Sequence, residues 1–160
     1  MELQNAYQMI NDALNLGKSL DDLSKSTLVA SMIYANKPGD GSAREQAASC
    51  QRVLGGGANI ALEYATKRYR SNVINWGMLP FVTSETDSRK LAVGDYVFVP
   101  NVRAILLSDS DDFKAYVINN GKKEEITLHL GYLSNEEKSI IAKGCLINYY
   151  ADSKSNNDKD

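Results

Sequence analysis

Between positions 27 and 77 the chain twice follows a short apolar run with a helical pattern, and no other feature limits its fold as tightly. The first run, "TLVASMIYA" (27–35), is rich in strand formers and suits a strand buried on both faces. It opens into the loop "NKPGDGS" and then a helix from Ser42, with Ala43, Ala47, Cys50 and Leu54 on one face. That helix stops at Gly55, Gly56 and Gly57. "ANIALEY" (58–64) predicts a second strand, and a helix over about 66–76 is closed by Gly77. Strands separated by a helix pair in parallel through right-handed crossovers. An α/β fold with a parallel part follows.

The rest of the chain adds an antiparallel part. Leu3, Tyr7, Ile10 and Leu14 recur at helical spacing, so an amphipathic helix precedes Gly17. "VGDYVFVP" alternates like a strand, and "FKAYVIN" with "EITLHLGYL" predicts a hairpin around Asn119, Asn120 and Gly121. Ser134 and Glu137 form a capping box for a helix over 135–143, and "GCLINYY" reads as a final extended piece. The expected architecture is a mixed sheet or barrel with flanking helices in one domain, 1–151, followed by a disordered polar tail, 152–160.

Composition narrows the setting. With 160 residues, 43% of them hydrophobic, the chain can bury one core. A net charge of −2 gives no global field for nucleic acid or an acidic membrane, and neither is an expected partner. No apolar run reaches the ~20 residues of a membrane span. The start, "MELQNAYQMIND", has neither the basic nor the apolar region of a secretory signal. A soluble, cytoplasmic protein is expected, with Cys50 and Cys145 reduced.

The candidate chemistry lies in "PGDGSAREQAA" (38–48), whose residues admit two explanations. In the structural one, Ser42 and Glu45 form a capping box, and Gly39, Asp40 and Gly41 are ordinary turn residues. In the functional one, a glycine-rich strand-to-helix turn points free amides and about half a positive charge at whatever lies above it. Arg44 in the first turn adds a bidentate clamp for a carboxylate or phosphate. Open α/β sheets also place ligands at the carboxyl ends of their strands, where this loop lies. No Gly-Lys-Ser/Thr follows, and the third glycine of a dinucleotide fingerprint is missing. A small carboxylate therefore fits better than a nucleotide. Spacing alone leaves both explanations open.

"GDGSAREQAA", followed about thirty residues later by "RSNVINWGMLPF", resembles the C-terminal swivelling domain of the aconitase superfamily. That domain carries Gly-Ser-Ser-Arg-Glu-His-Ala after a buried strand, then an Asn-containing helix ending in Gly-Leu-Leu-Pro or a close variant. Here the second element is Asn72 with Gly77, Met78, Leu79 and Pro80. The resemblance spans roughly residues 27–100. It implies a swivelling β/β/α domain of a hydro-lyase that removes and re-adds water on hydroxy-di- or tricarboxylic acids. It implies Ser42 as the base, Arg44 as the carboxylate clamp, and the loop amides of Gly41 and Ala43 as stabilisers of developing negative charge. A serine is a poor base in water, but a helix N-terminus, an adjacent arginine and exclusion of water favour its anion.

The resemblance also implies a [4Fe-4S] cluster, held by three cysteines in partner domains or a large subunit. Cys50 and Cys145 cannot supply that set. This chain is therefore expected to hold no cofactor, to be inactive alone, and to be part of a longer enzyme. It departs from the family at Ala43, where the second motif serine stands, at Gln46, where the histidine stands, and at "LEYATKR", where Lys-Ser-Phe-Ala-Arg stands. These departures support a rival of another class, a non-catalytic anion-binding or regulatory module on the same fold. The remaining features read as structural. Lys67, Arg68, Tyr69 and Arg70 suit a solvated helix face with Tyr69, Val73 and Trp76 turned inward, and His129 suits the polar side of its strand.

Overall fold

The computed structural model describes residues 2–119 and 122–157, with side chains for 4–119 and 122–152. Two helices, α1 (Glu2–Leu14) and α2 (Leu20–Ser26), come first. Strand β1 (Ser31–Ala35) leads through a loop to α3 (Arg44–Val53) and β2 (Gly56–Ala61), and α4 (Lys67–Asn75) leads on to β3 (Leu79–Val82). The short α5 (Glu85–Ser88), β4 (Tyr96–Phe98) and α6 (Val102–Leu106) precede a hairpin of β5 (Asp112–Asn119) and β6 (Lys122–His129). Helices α7 (Asn135–Ala142) and α8 (Leu146–Asn157) follow.

The strands make one open sheet in the order β1-β2-β3-β6-β5-β4. It is parallel over β1, β2 and β3 and antiparallel from β3 through β6 and β5 to β4. The α/β class and the mixed pairing are as the sequence predicts, realised as an open sheet and not a barrel. Ile60, Phe81, Phe113, Ile126 and Leu128 from four strands meet Ile74 of α4 and Ile140 of α7 in one core. Phe81 and Phe113 meet edge-on with centroids 5.2 Å apart. That contact joins the parallel half to the hairpin, because β3 and β6 pair only at Val82 and His129. No helix among the described residues is long and apolar enough to cross a membrane.

Several expectations hold because their signals are local. Helix α4 starts on Thr66, whose side chain accepts from the Tyr69 amide, and Gly77 follows its end at φ +68°. The capping box of α7 is complete, with the Glu137 amide 3.2 Å from Ser134 Oγ and the Ser134 amide 2.9 Å from Glu137 Oε2. The hairpin is present, although Asn120 and Gly121 lie outside the described residues.

Other expectations are corrected. β1 is an edge strand, not one buried on both faces: Ile33 is 42% exposed and Leu28, just before it, 83%. On α3 the buried residues are Ala48 and Gln51, while Ala43, Ala47, Cys50 and Leu54 are exposed. Packing decides this. Ala48 meets Tyr69, Val73 and Met78, and Gln51 Nε2 donates to the Ala58 carbonyl at 3.1 Å. The three glycines after α3 serve that seating. Gly55 turns the chain at φ +85°, and a Cβ on Gly56 would lie 2.7 Å from the Gln51 carbonyl oxygen. "GCLINYY" is helical, not extended, because Leu146 and Tyr149 reach the core at a helical spacing of three. Helix α8 continues to Asn157, into the stretch expected to be a polar tail, and 158–160 lie outside the described residues. The third parallel strand, β3, contains Pro80, a residue that argues against an interior strand in sequence.

The core contacts set the scale of two substitutions. Phe81→Ala is expected to cost about 3–5 kcal/mol in urea unfolding, whereas Leu54→Ala stays within about 0.5 kcal/mol. Asp87 ties α5 to β6, with Lys90 Nζ at 2.7 Å and the Thr127 amide at 3.0 Å. The Lys90 hydrogen bond, followed by the Thr127 amide, holds the Asp87 carboxyl below the usual aspartate range. A depressed folded-state pKa gives stability that is complete above the unfolded value of ~3.9 and is lost as pH falls through the folded value. Asp87→Asn is therefore expected to flatten the loss of stability over that acid window. An unchanged acid limb would remove the role.

Candidate functional site

The loop at 36–43 leaves the carboxyl end of β1 and enters α3 beside the carboxyl ends of β2 and β3. It is laced to the next such loop through its carbonyls. Asn36 accepts from the amides of Leu62 (3.2 Å) and Glu63 (3.1 Å), and Pro38 from the amide of Ala65 (2.9 Å). The Gly39 carbonyl accepts from Thr66 Oγ1 at 3.2 Å. Gly39 itself has φ +96° and lies on Tyr69, where a Cβ would stand 2.5 Å from the side chain. Tyr69 is held in turn by Asn59 Nδ2, 3.0 Å from its hydroxyl. Lys37 and Glu63 pair at 2.6 Å on the rim of an open depression, which Asn36, Leu62, Thr83 and Glu85 also line.

On this rigid base the loop presents Gly41, Ser42 and Ala43, all exposed, and the half-buried Arg44. The capping box that the spacing encodes here does not form. The cap position falls on Ala43 with no side-chain hydrogen bond, and Glu45 Oε1 instead accepts from Trp76 Nε1 at 3.1 Å. Arg44 Nε donates to the Gly41 carbonyl at 2.9 Å, and among the described residues nothing accepts from its two terminal nitrogens. The amides of Gly41, Ser42 and Ala43 likewise meet no acceptor among the described residues. One turn thus gathers a hydroxyl, a guanidinium and unpaired amides at the N-terminus of a ten-residue helix. This arrangement attracts an anion.

The other sequence candidates have structural work or no partner among the described residues. Lys67 and Arg68 are exposed, whereas Arg70 Nη2 donates to the carbonyls of Leu130 (2.7 Å) and Tyr132 (3.1 Å), which pins α4 to the segment before α7. His129 Nδ1 lies 2.9 Å from Asp112 Oδ1 on the half-exposed face of the hairpin. Cys50 is exposed, Cys145 is half-buried, and both are free thiols. Among the described residues no three His, Cys, Asp or Glu side chains gather where a metal would sit. The described residues thus bring together no ligand set of the kind an iron–sulfur cluster takes. Sequence reasoning missed Thr66 and Tyr69 as supports of the loop, and Trp76 as the partner of Glu45. Only the Thr66 cap had a local signal.

Residues 23–86 match the model of the aconitase C-terminal domain family. The match takes in the parallel half of the sheet and the whole loop around Ser42. The chain is also 26% identical over 155 residues to "Aconitate hydratase A" of Rickettsia bellii (strain RML369-C), covering 92% of this chain and 17% of that protein. It thus spans less than a fifth of the curated relative it matches. The match ends at residue 86, ahead of β4, the hairpin and the last helices.

The two loop glycines differ in what they do. Gly39→Ala forces a side chain into Tyr69 at positive φ and is expected to cost more than about 2 kcal/mol in urea unfolding. A Cβ on Gly41 would meet nothing within 4 Å. Gly41→Ala is expected to stay within about 0.5 kcal/mol. Equal costs would show that the loop is not seated on Tyr69.

Proposed function

We propose that this chain is the substrate-closing domain of an aconitase-like hydro-lyase acting in the cytoplasm on a hydroxy-di- or tricarboxylic acid. Ser42 serves as the base and Arg44 as the clamp for a substrate carboxylate. The observation that carries this reading is that Ser42, coded as a helix cap, caps nothing, while the terminal nitrogens of Arg44 beside it meet no acceptor among the described residues. The match of residues 23–86 to the aconitase C-terminal domain supports it.

The chemistry follows from the turn. Ser42 Oγ, as its anion, takes the proton from the carbon next to a carboxylate, and that electron pair expels the hydroxyl on the neighbouring carbon, which leaves as water on taking a proton from a general acid of the covering partner. Cationic Arg44 and the amides of Gly41, Ser42 and Ala43 lower the cost of the serine anion and of charge on the substrate. Ser42 is exposed and Arg44 half-buried, so the field acts at full strength only when a partner covers the turn and excludes water. The partners are the remaining domains or large subunit of the enzyme. The [4Fe-4S] cluster that the resemblance implies belongs to them, and no step here runs through it. Ala43 and Gln46, in place of the family's serine and histidine, favour the second reading, an anion-binding module without turnover.

The deciding experiment uses the full-length enzyme, reconstituted with iron and sulfide without oxygen, on a panel of hydroxy-di- and tricarboxylates. Ser42→Ala is expected to lower kcat by about 10²–10⁴-fold. Arg44→Lys is expected to raise KM by roughly tenfold or more, since lysine cannot hold a carboxylate in two places. Turnover untouched by Ser42→Ala would place the base elsewhere. Carboxylate binding with no turnover in the reconstituted protein would establish the module instead.

A further inference from the structure

Four helix starts among the described residues carry a serine followed three residues later by an acid: Ser19 with Asp22, Ser42 with Glu45, Ser84 with Asp87, and Ser134 with Glu137. At three of them the serine is the cap. Its Oγ accepts from the amide of Asp22 (3.1 Å), Asp87 (3.1 Å) or Glu137 (3.2 Å), and its ψ is 153°, 159° or 160°. At Ser42 the frame has slipped by one residue, onto Ala43 with ψ 47°. Diversion of the acid alone does not explain this, because Asp87 is engaged by Lys90 and Thr127 while Ser84 still caps. At α3 two tethers bracket the serine: Arg44 Nε on the Gly41 carbonyl, and the Trp76 indole on Glu45.

The indole is the fixed end of the second tether. Trp76 is the last cap of α4, with its amide 3.1 Å from the Asn72 carbonyl. Gly77 follows at φ +68°, so close to the Gly144 carbonyl that a Cβ would overlap it. Met78 is fully buried and packs on Ala48 of α3. The stretch 72–78 is thus the seat on which α3 rests, and its only outward hydrogen bond to α3 is the indole N–H on a carboxylate, a charge-assisted bond. We propose that Trp76 is a positioning residue for Ser42. By holding Glu45, in concert with the Arg44 tether on the Gly41 carbonyl, it keeps the first turn of α3 in the frame that leaves Ser42 Oγ uncommitted to the helix amides. Both tethers are needed, so loss of either releases the frame. The structural part stands by itself, and its catalytic consequence rests on the reading of Ser42 as the base.

The test is a double-mutant cycle on this chain, read as folding equilibrium constants from urea denaturation. In the wild-type background Ser42→Ala is expected to change the constant less than about twofold. In Trp76→Phe, which keeps a ring and removes the N–H, Glu45 is released and Ser42 becomes the cap. Ser42→Ala there should cost about fivefold, the usual worth of a cap. Ser134→Ala should cost about fivefold in both backgrounds. Equal effects of Ser42→Ala in the two backgrounds would overturn the proposal. A second measurement holds even if Trp76→Phe does not fold. The chain has one tryptophan, and its indole N–H should exchange with deuterium more slowly in the wild type than in Glu45→Ala. Equal rates would also overturn it. In the full-length enzyme Trp76→Phe should lower kcat by about tenfold with KM unchanged, as for a misplaced reacting group, and a change in KM alone would count against it. If Ser42→Ala leaves turnover intact, the base assignment fails, and the stability cycle still decides the role of Trp76.

Discussion

Helix α3 comes close to α4 and β2 only because small residues stand at each contact. Ala48 lets it rest on Tyr69, Val73 and Met78, Gly56 clears the Gln51 backbone, and Gly39 lets the preceding loop lie on the Tyr69 ring. Dense packing of this kind transmits position, because a methyl group too many at any of these places moves a backbone. The loop around Ser42 therefore inherits its geometry from α4. Three carbonyls of that loop are bonded to the β2–α4 connection, and what is left for solvent or a ligand is its amides. A surface loop is usually mobile, but one tied in this way is organised before anything binds.

That organisation explains the electrostatics of the turn. A helix N-terminus always has orphan amides, and proteins ordinarily satisfy them with the nearest Ser, Thr, Asp or Asn. This chain does so at α2, α4, α5 and α7. At α3 it leaves the serine unused and places an arginine in the same turn, with its Nε spent on the loop and its two end nitrogens without an acceptor among the described residues. An uncapped helix start costs stability, a cost that accords with the anion-binding role proposed above for this turn. The single domain leaves this turn open to water, where its field is weak. A covering partner of the kind proposed would change the dielectric, and with it the worth of each charge.

What could be read from sequence depended on the range of each signal. Thr66 and Gly77 bound α4, Ser134 and Glu137 start α7, and the alternation of β5 and β6 sets their pairing, all within a few residues. The buried face of α3 was misread because Ala47, Cys50 and Leu54 are as apolar as a core stripe, yet the buried Gln51 has a β2 carbonyl to bond. Helix α8 was misread because a short apolar run has no periodicity of its own until Leu146 and Tyr149 find the core.

The sequence by itself determined the alternation of strands and helices, the parallel pairing that crossovers require, and the residue types gathered in the loop after β1. Apolar periodicity and glycine chemistry act locally, so they are legible in one dimension. Tertiary structure alone decided which α3 face is buried, that β1 is an edge, and that Ser42 does not cap its helix. Each of these turns on a contact between distant positions, as when Trp76 reaches Glu45 across 31 residues of chain. Such a contact competes with a local motif of comparable strength, and only the folded packing determines which prevails.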